Sequence, residues 1–266
     1  VNFIGSFNKN EVVEMGAESQ SITSGTIHGG TYTCKTLAGY PIGGFWLIPC
    51  DGYFNSESEV QAYQKNGNLI QPSAKPGDIR FKDTNNDGTI NDADRVYSGS
   101  PFPKFTYSIN GNITYKNFDF AVTFQGVTGN KIYNATRLEL EDVTRGTNYL
   151  ATTLDYWTPE NKDASVPRLT WNDTNRNSRS ESDRFLEDGS YFRLRSLQIG
   201  YTLPVSLFKG LIQKARVYAN AENLFTITSY TGYTPDVNAS SVYSRGFDEF
   251  IYPSNRTFML GLNVTF

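Results

Sequence analysis

The sequence predicts an all-β fold: the strands of a large antiparallel transmembrane β-barrel with long loops that carry short helices. Three observations predict it. Strict apolar–polar alternation recurs in widely separated stretches. The connections between those stretches alternate between short and very long. Aromatic residues make up 14% of 266 residues while charged residues make up only 19%, a balance that suits strands better than helices.

Taken in chain order, weak alternation marks strands near 1–7 and 11–17, with Asn8, Lys9 and Asn10 as a tight turn between them. From 105 to 115 one face reads Phe105, Tyr107, Ile109, Gly111, Ile113, Tyr115 and the other Thr106, Ser108, Asn110, Asn112, Thr114. Over 118–126, Phe118, Phe120, Val122 and Phe124 oppose Asp119, Ala121, Thr123 and Gln125. Further strands follow near 197–203 and 217–222 and over 258–266, where Phe258, Leu260, Leu262, Val264 and Phe266 share a face. About seven strands result. Lys116-Asn117 and the stretch opened by Pro204 are short connections, whereas 18–104, 128–190 and 226–256 are long. Unstructured loops of that length are rare in compact soluble domains. Outer-membrane barrels have them on one side only, with apolar residues outward, polar residues inward and aromatic girdles at the ends. A soluble β-sandwich would also alternate. The polar face (Asn110, Asn112, Gln125, Asn220, Glu222) favours a water-filled lumen.

Composition excludes several classes. No apolar run approaches the ~18 residues of a spanning helix. A net charge of −3 gives no electrostatic footprint for nucleic acid. The single histidine, His28, reads as a polar loop residue. Cys34 and Cys50 fit either one disulfide or two free thiols. The start lacks a signal peptide and reads as if already within a strand, which suggests a piece of a longer polypeptide.

Within the long loops, Ser56 or Ser58 caps a helix to about Gln64, and 134–143 and 149–157 are further helical candidates. Glu139, Glu141 and Asp142 read as a solvated helix face, and Asp183, Arg184, Glu187 and Asp188 as loop salt bridges. The sharpest motif runs from Asp83 to Asp94. It matches the calcium-loop spacing, with Asp83, Asn85 and Asp87 as side-chain ligands, Gly88 at the turn, and Thr89 offering its carbonyl. Asn91 would bind directly or through water, and Asp94 stands where a glutamate usually closes the shell. Calcium in that loop would be structural. The bland reading is an Asn/Asp/Gly turn held by its own side chains.

The stretch Pro76-Gly-Asp-Ile-Arg-Phe-Lys-Asp83, then Asp94-Arg95 and Gly99-Ser-Pro-Phe-Pro-Lys-Phe105, resembles the SusC/RagA-type TonB-dependent outer-membrane transporters. So do Tyr40-Pro-Ile-Gly-Gly-Phe45, Asp51-Gly-Tyr-Phe54, Phe185-Leu-Glu-Asp-Gly-Ser-Tyr-Phe-Arg-Leu194 and Ala219-Asn-Ala-Glu-Asn-Leu-Phe225. The resemblance implies that 1–266 is the C-terminal part of a barrel of about 22 strands. The plug and earlier strands would lie upstream, and 18–104 would be an extracellular loop. It further implies a SusD-like lipoprotein partner, energy from TonB, contact with outer-membrane lipid, an oligosaccharide or peptide as cargo, and no enzymatic step. Tyr53, Trp157 and Trp171 would be the candidates to stack on a substrate. The competing expectation is a secreted, calcium-stabilised β-sandwich that binds glycans, with its apolar residues buried between two sheets.

Overall fold

A computed structural model describes every residue except 17–19, 28–30, 205, 207–210 and 238–240. His28 lies outside the described residues. Six strands form one continuous antiparallel sheet, here called the wall: β1 (Asn2–Phe7), β2 (Phe105–Tyr115), β3 (Phe118–Thr128), β4 (Tyr191–Leu203), β5 (Lys214–Thr228) and β6 (Thr257–Thr265). Spatial order follows chain order throughout. The stretch 11–16 is not a strand, so six rather than seven strands form the wall. Asn8 donates to the Lys104 carbonyl at 3.0 Å, prolonging the β1–β2 pairing, so 8–10 leads out of the sheet instead of turning back into it. The first long loop is therefore 8–104.

Register brings the alternating residues into rows. Ile113, Phe120, Ile199, Ala219 and Leu260 pair across five strands on one face. Asn112, Ala121, Gln198, Asn220 and Met259 form the adjoining row on the other. The apolar face is bare: Phe258 is 71% and Leu260 86% exposed. No second sheet covers it among the described residues, contrary to what the sandwich expectation requires.

Aromatic rings gather at both ends of this face. At the loop end Phe7 stacks on Phe105 at 4.4 Å, Phe105 on Tyr107 at 5.4 Å, and Phe124 on Phe192 at 5.3 Å. At the hairpin end Phe118 meets Tyr201 at 4.7 Å. Phe105 and Tyr115 end the 11 residues of β2. With a rise of roughly 3.3 Å per residue and a tilt of roughly 40°, that separation projects onto about 25 Å, the height of a barrel's apolar band.

On the polar face Arg216 of β5 reaches diagonally to Asp119 of β3, with Nε–Oδ1 at 2.8 Å and Nη2–Oδ2 at 2.5 Å. Gly200 of β4 lies between them. A Cβ there would sit 2.4 Å from both Arg216 Nη2 and Asp119 Oδ1, so only glycine leaves room for this ion pair.

The buried core lies in the loops rather than in the wall. Ile27, Cys34, Phe45 and Leu47 come from the first loop, Tyr133, Ala135, Leu138 and Phe185 from the second, and Phe247 from the third. A four-stranded sheet of Ile22–Ser24, Cys34–Thr36, Gly44–Leu47 and Val96–Gly99 frames the first loop. The strand Lys131–Asn134 pairs with Leu186–Asp188 and, in parallel, with Phe247–Asp248, stitching the second loop to the third.

Candidate functional site

The loop body carries the candidate functional residues. Its helices are short. α1 (Glu57–Ala62) is capped by Ser56, whose side chain accepts from the Glu59 amide, as the sequence predicts. α2 (Ala135–Glu141) is capped by Asn134, whose side chain accepts from the Arg137 amide. The 149–157 candidate shrinks to a 3-10 turn over Ala151–Leu154. No side chain caps it.

The acidic residues of α2 are not a solvated face. Glu139, Glu141 and Asp142 are buried. Arg184 holds Glu141 at 2.5 Å, and Arg145 reaches Glu139 and Asp142 at 3.1 Å each. Arg137 pairs with Glu187 at 2.7 Å, and the Thr231 amide of the third loop donates to the same carboxylate at 2.8 Å. A carboxylate survives burial only with such partners. The second predicted cluster does form loop ion pairs, through Arg184, Glu187 and the Lys131–Asp188 contact at 3.7 Å. Asp183 instead accepts from the Cys50 amide at 2.9 Å, and burial raises its carboxyl above the usual range. Both cysteines are free thiols. Burial pushes Cys34 up to about 12, a little offset by its contact with Thr33, so it is not a reactive thiolate.

The Pro76-Gly77-Asp78 stretch has a structural explanation. Gly77 takes φ +88° with the Trp157 ring packed on it, where a Cβ would come within 2.4 Å of Trp157 Cε3. Asp78 is fully buried and joins Arg168 Nε at 2.6 Å, Asn177 Nδ2 at 2.8 Å and the Lys75 amide at 2.9 Å. These contacts clamp the first loop to the second.

The three aromatic candidates separate. Trp157 is only 6% exposed and donates Nε1 to Asn55, so it is a packing residue with no free face for a ligand. Tyr53 is half-buried against the cluster of Ile48, Ile79 and Phe81, and burial raises its hydroxyl pKa. Trp171 is 74% exposed and stands between two cavities. One, of about 510 Å³, carries Arg145, Arg176 and Asp173; the other, of about 450 Å³, is walled by Tyr149, Leu154 and Leu169.

The Asp-rich loop closes on itself. Asp83 accepts from the amides of Asp87 at 3.1 Å and Gly88 at 2.8 Å, and Asn85 Oδ1 accepts from Asp87 at 2.9 Å. Asp87 accepts from the Thr89 amide and hydroxyl, both at 2.8 Å. The Thr89 hydroxyl first, then Asn85 and the Thr89 amide, hold the Asp87 carboxyl down at about 2. Asp94 is fully buried and binds inward, its two oxygens accepting from Thr84 and Asn91, each at 2.8 Å. Each Asp94 oxygen keeps a second lone pair, as do the Asp83 oxygens that accept from Asp87 and Gly88. Asn85 and Asn91 Nδ2 both point at Asp87 Oδ2, at 2.9 and 3.3 Å. Turning either amide over presents an oxygen at the same point. Among the described residues no three His, Cys, Asp or Glu side chains converge as a metal site, so this loop depends on its asparagines.

An open antiparallel sheet with a lipid-type outer face, a polar inner face and one shared loop body defines a section of an outer-membrane β-barrel. No protein-family model matches the chain. TonB-dependent receptor P3 of Formosa agariphila is 36% identical over 221 residues, which is 78% of this chain and 21% of the receptor. TonB-dependent receptor P26 of the same organism is 30% identical over 270 residues, covering 98% of this chain and 26% of the receptor. TonB-dependent receptor SusC of Bacteroides thetaiotaomicron is 29% identical over 209 residues, 77% of this chain and 19% of SusC. The structure of the RagAB peptide transporter superposes with a TM-score of 0.71 at 22% identity, over 98% of this chain and 26% of that one. The chain belongs to the SusC/RagA-type TonB-dependent receptors, and spans about a fifth to a quarter of the length of these relatives.

Proposed function

We propose that this chain forms part of the wall and outer loops of an active outer-membrane importer of oligosaccharides or peptides. The observation that carries this reading is the two-faced wall whose three long loops all leave from one end and fold into a single body. The outer face suits lipid and the inner face suits a hydrated path. The loop body is the surface on which a SusD-like lipoprotein would dock, with Trp171 as an exposed aromatic anchor. The TonB complex would supply the energy through parts of the receptor beyond this section. The work is translocation, and no substrate bond is broken. Deleting the whole receptor gene and growing the bacterium on a panel of oligosaccharides and peptides tests this. Growth on at least one of them is expected to fail and to return with a plasmid copy, with the receptor in the outer-membrane fraction. A soluble protein, or unchanged growth throughout, overturns it.

Calcium in the Asp83–Asp94 loop is part of the same proposal, with Asp83, Asn85, Asp87, Thr89, Asn91 and Asp94 as its ligands. It would fix the geometry of an exposed loop and take no part in transport chemistry. Calorimetric titration of the receptor with calcium tests it.

A further inference from the structure

We propose that the apolar cleft of the second outer loop holds an apolar side chain of a peptide cargo. This rests on the import reading above and chooses between its two cargo classes.

The cleft has a volume of about 450 Å³. That is the size of a small-ligand site and not the broad surface a stable protein contact needs. Val143, Leu150, Leu154 and Leu169 form its walls together with the rings of Tyr149 and Trp171. The Leu150 amide is tied to the Leu140 carbonyl at 3.0 Å, and the turn Ala151–Leu154 follows. This leaves Leu154 81% exposed at the cleft.

Hydrogen bonding decides the class of ligand. No charged side chain lines the cleft, and no hydroxyl within reach has a proton left to donate. Tyr149 donates to the Val143 carbonyl at 3.1 Å, and Thr170 donates to the Asn172 carbonyl at 3.2 Å. The Thr153 hydroxyl is shut away from solvent. The Trp171 indole N–H is the side-chain donor that remains. A sugar ring in the cleft would strip water from several hydroxyls and find one donor in return. An aliphatic or aromatic side chain has no such loss and gains by leaving water.

Charge begins one ring away. Across Trp171 lies the cavity of about 510 Å³ that carries Arg145, Arg176 and Asp173, groups of both signs. An apolar site and an ionic site therefore share one wall. A peptide combines both characters within a residue: its side chain fills the cleft while amides or a terminus lie among the charges. A neutral sugar has no apolar branch to insert, and a hydrocarbon offers nothing to the charges.

The test uses the full-length receptor in detergent, without its lid protein, on printed arrays of short peptides and of oligosaccharides. Peptides bearing Leu or Phe are expected to be retained above their Ser counterparts. Calorimetry with the strongest peptide is then expected to show about tenfold weaker binding for Leu154→Ser. Leu154→Met should bind nearly as the wild type, because apolar area is what is used. Ala151→Phe, at an exposed position that lines the cleft, fills it and should weaken binding while the fold is kept. Retention of oligosaccharides alone, no preference for apolar side chains, or unchanged peptide binding in either Leu154→Ser or Ala151→Phe overturns the proposal. Unchanged peptide binding with weakened capture of the lid protein also overturns it and assigns the cleft to the lid. Import is read separately by growth of the gene deletion, so either reading can fail while the other stands.

Discussion

Single residues in the loop body act through burial and hydrogen bonding, and the Asp-rich loop is the clearest case. Asp87 is exposed, yet its carboxyl is held near 2 against an ordinary 3.8 by Thr89 and Asn85. A lowered folded value means that the stabilisation is complete above 3.8 and disappears as pH falls through about 2. Amide protection of 83–91, measured by hydrogen exchange against intrinsic rates, is therefore expected to persist at pH 4 and to be lost near pH 2. At neutral pH, calcium titration should release or absorb heat with the wild type and give no signal with Asp87→Ala. A silent wild-type titration removes calcium and leaves the self-bonded turn.

At the scale of elements, the wall depends on what its glycines admit. Gly200 allows Arg216 to cross β4 and reach Asp119. Gly200→Val is expected to break that ion pair and to lower the yield of folded barrel, read as the heat-modifiable band on a gel. Asp119→Asn with Arg216→Gln, which removes the charges but keeps the glycine, should be milder. Equal yields for Gly200→Val and wild type would mean that the diagonal pair is unimportant. A local irregularity supplements the glycines. Between Ser196 and Leu194, β4 advances by two residues while β5 advances by three and β3 by one. Arg195 is thus an extra residue in β4, and Asn223 in β5 takes φ +53°. Bulges of this kind bend and twist a barrel strand. Here the bulge lies within Ala219–Phe225, one of the stretches that carries the family resemblance.

For the molecule as a whole, the wall and the loop body hold together in different ways. The wall is a ladder of neighbouring hairpins with its apolar side bare, built for a nonpolar surrounding. The loop body is a conventional core assembled from three loops that are far apart in sequence. Phe45 is fully buried at its centre, 6.5 Å from Tyr133, whose ring stacks on Phe247 at 5.5 Å. Phe45→Ala is expected to cost about 3–5 kcal/mol. Limited proteolysis should then cut all three loops of the receptor together while the wall fragment survives in detergent. Cleavage confined to the first loop would mean that the loops fold independently.

The wall was legible in the sequence because a strand writes its two environments into alternate residues, and lipid and water differ enough to make the alternation strict. Residues 105–115 and 118–126 announce both faces, and the tight Lys116-Asn117 turn fixes their register. The stretch 11–17 misled because weak alternation over a few residues has no pairing partner to confirm it. The Asp83–Asp94 loop was legible for a related reason: its side chains bond amides within the same stretch, most of them two to five residues away, with Asp94 reaching back to Thr84 across the loop. The loop core was not legible. Glu139, Glu141 and Asp142 look like a solvated face because, although Arg145 lies a few residues on, the distant Arg184 and the packing that buries them are set by chain crossings that no local pattern records. Trp157 could not be told from Trp171 by composition. Only the packing of Gly77 beneath one ring, and the 74% exposure of the other, separates a core residue from an exposed one. By itself the sequence determined the membrane-facing wall and the family. Tertiary structure decided which loop residues are available to a ligand, because availability depends on long-range burial and charge pairing rather than on neighbours in the chain.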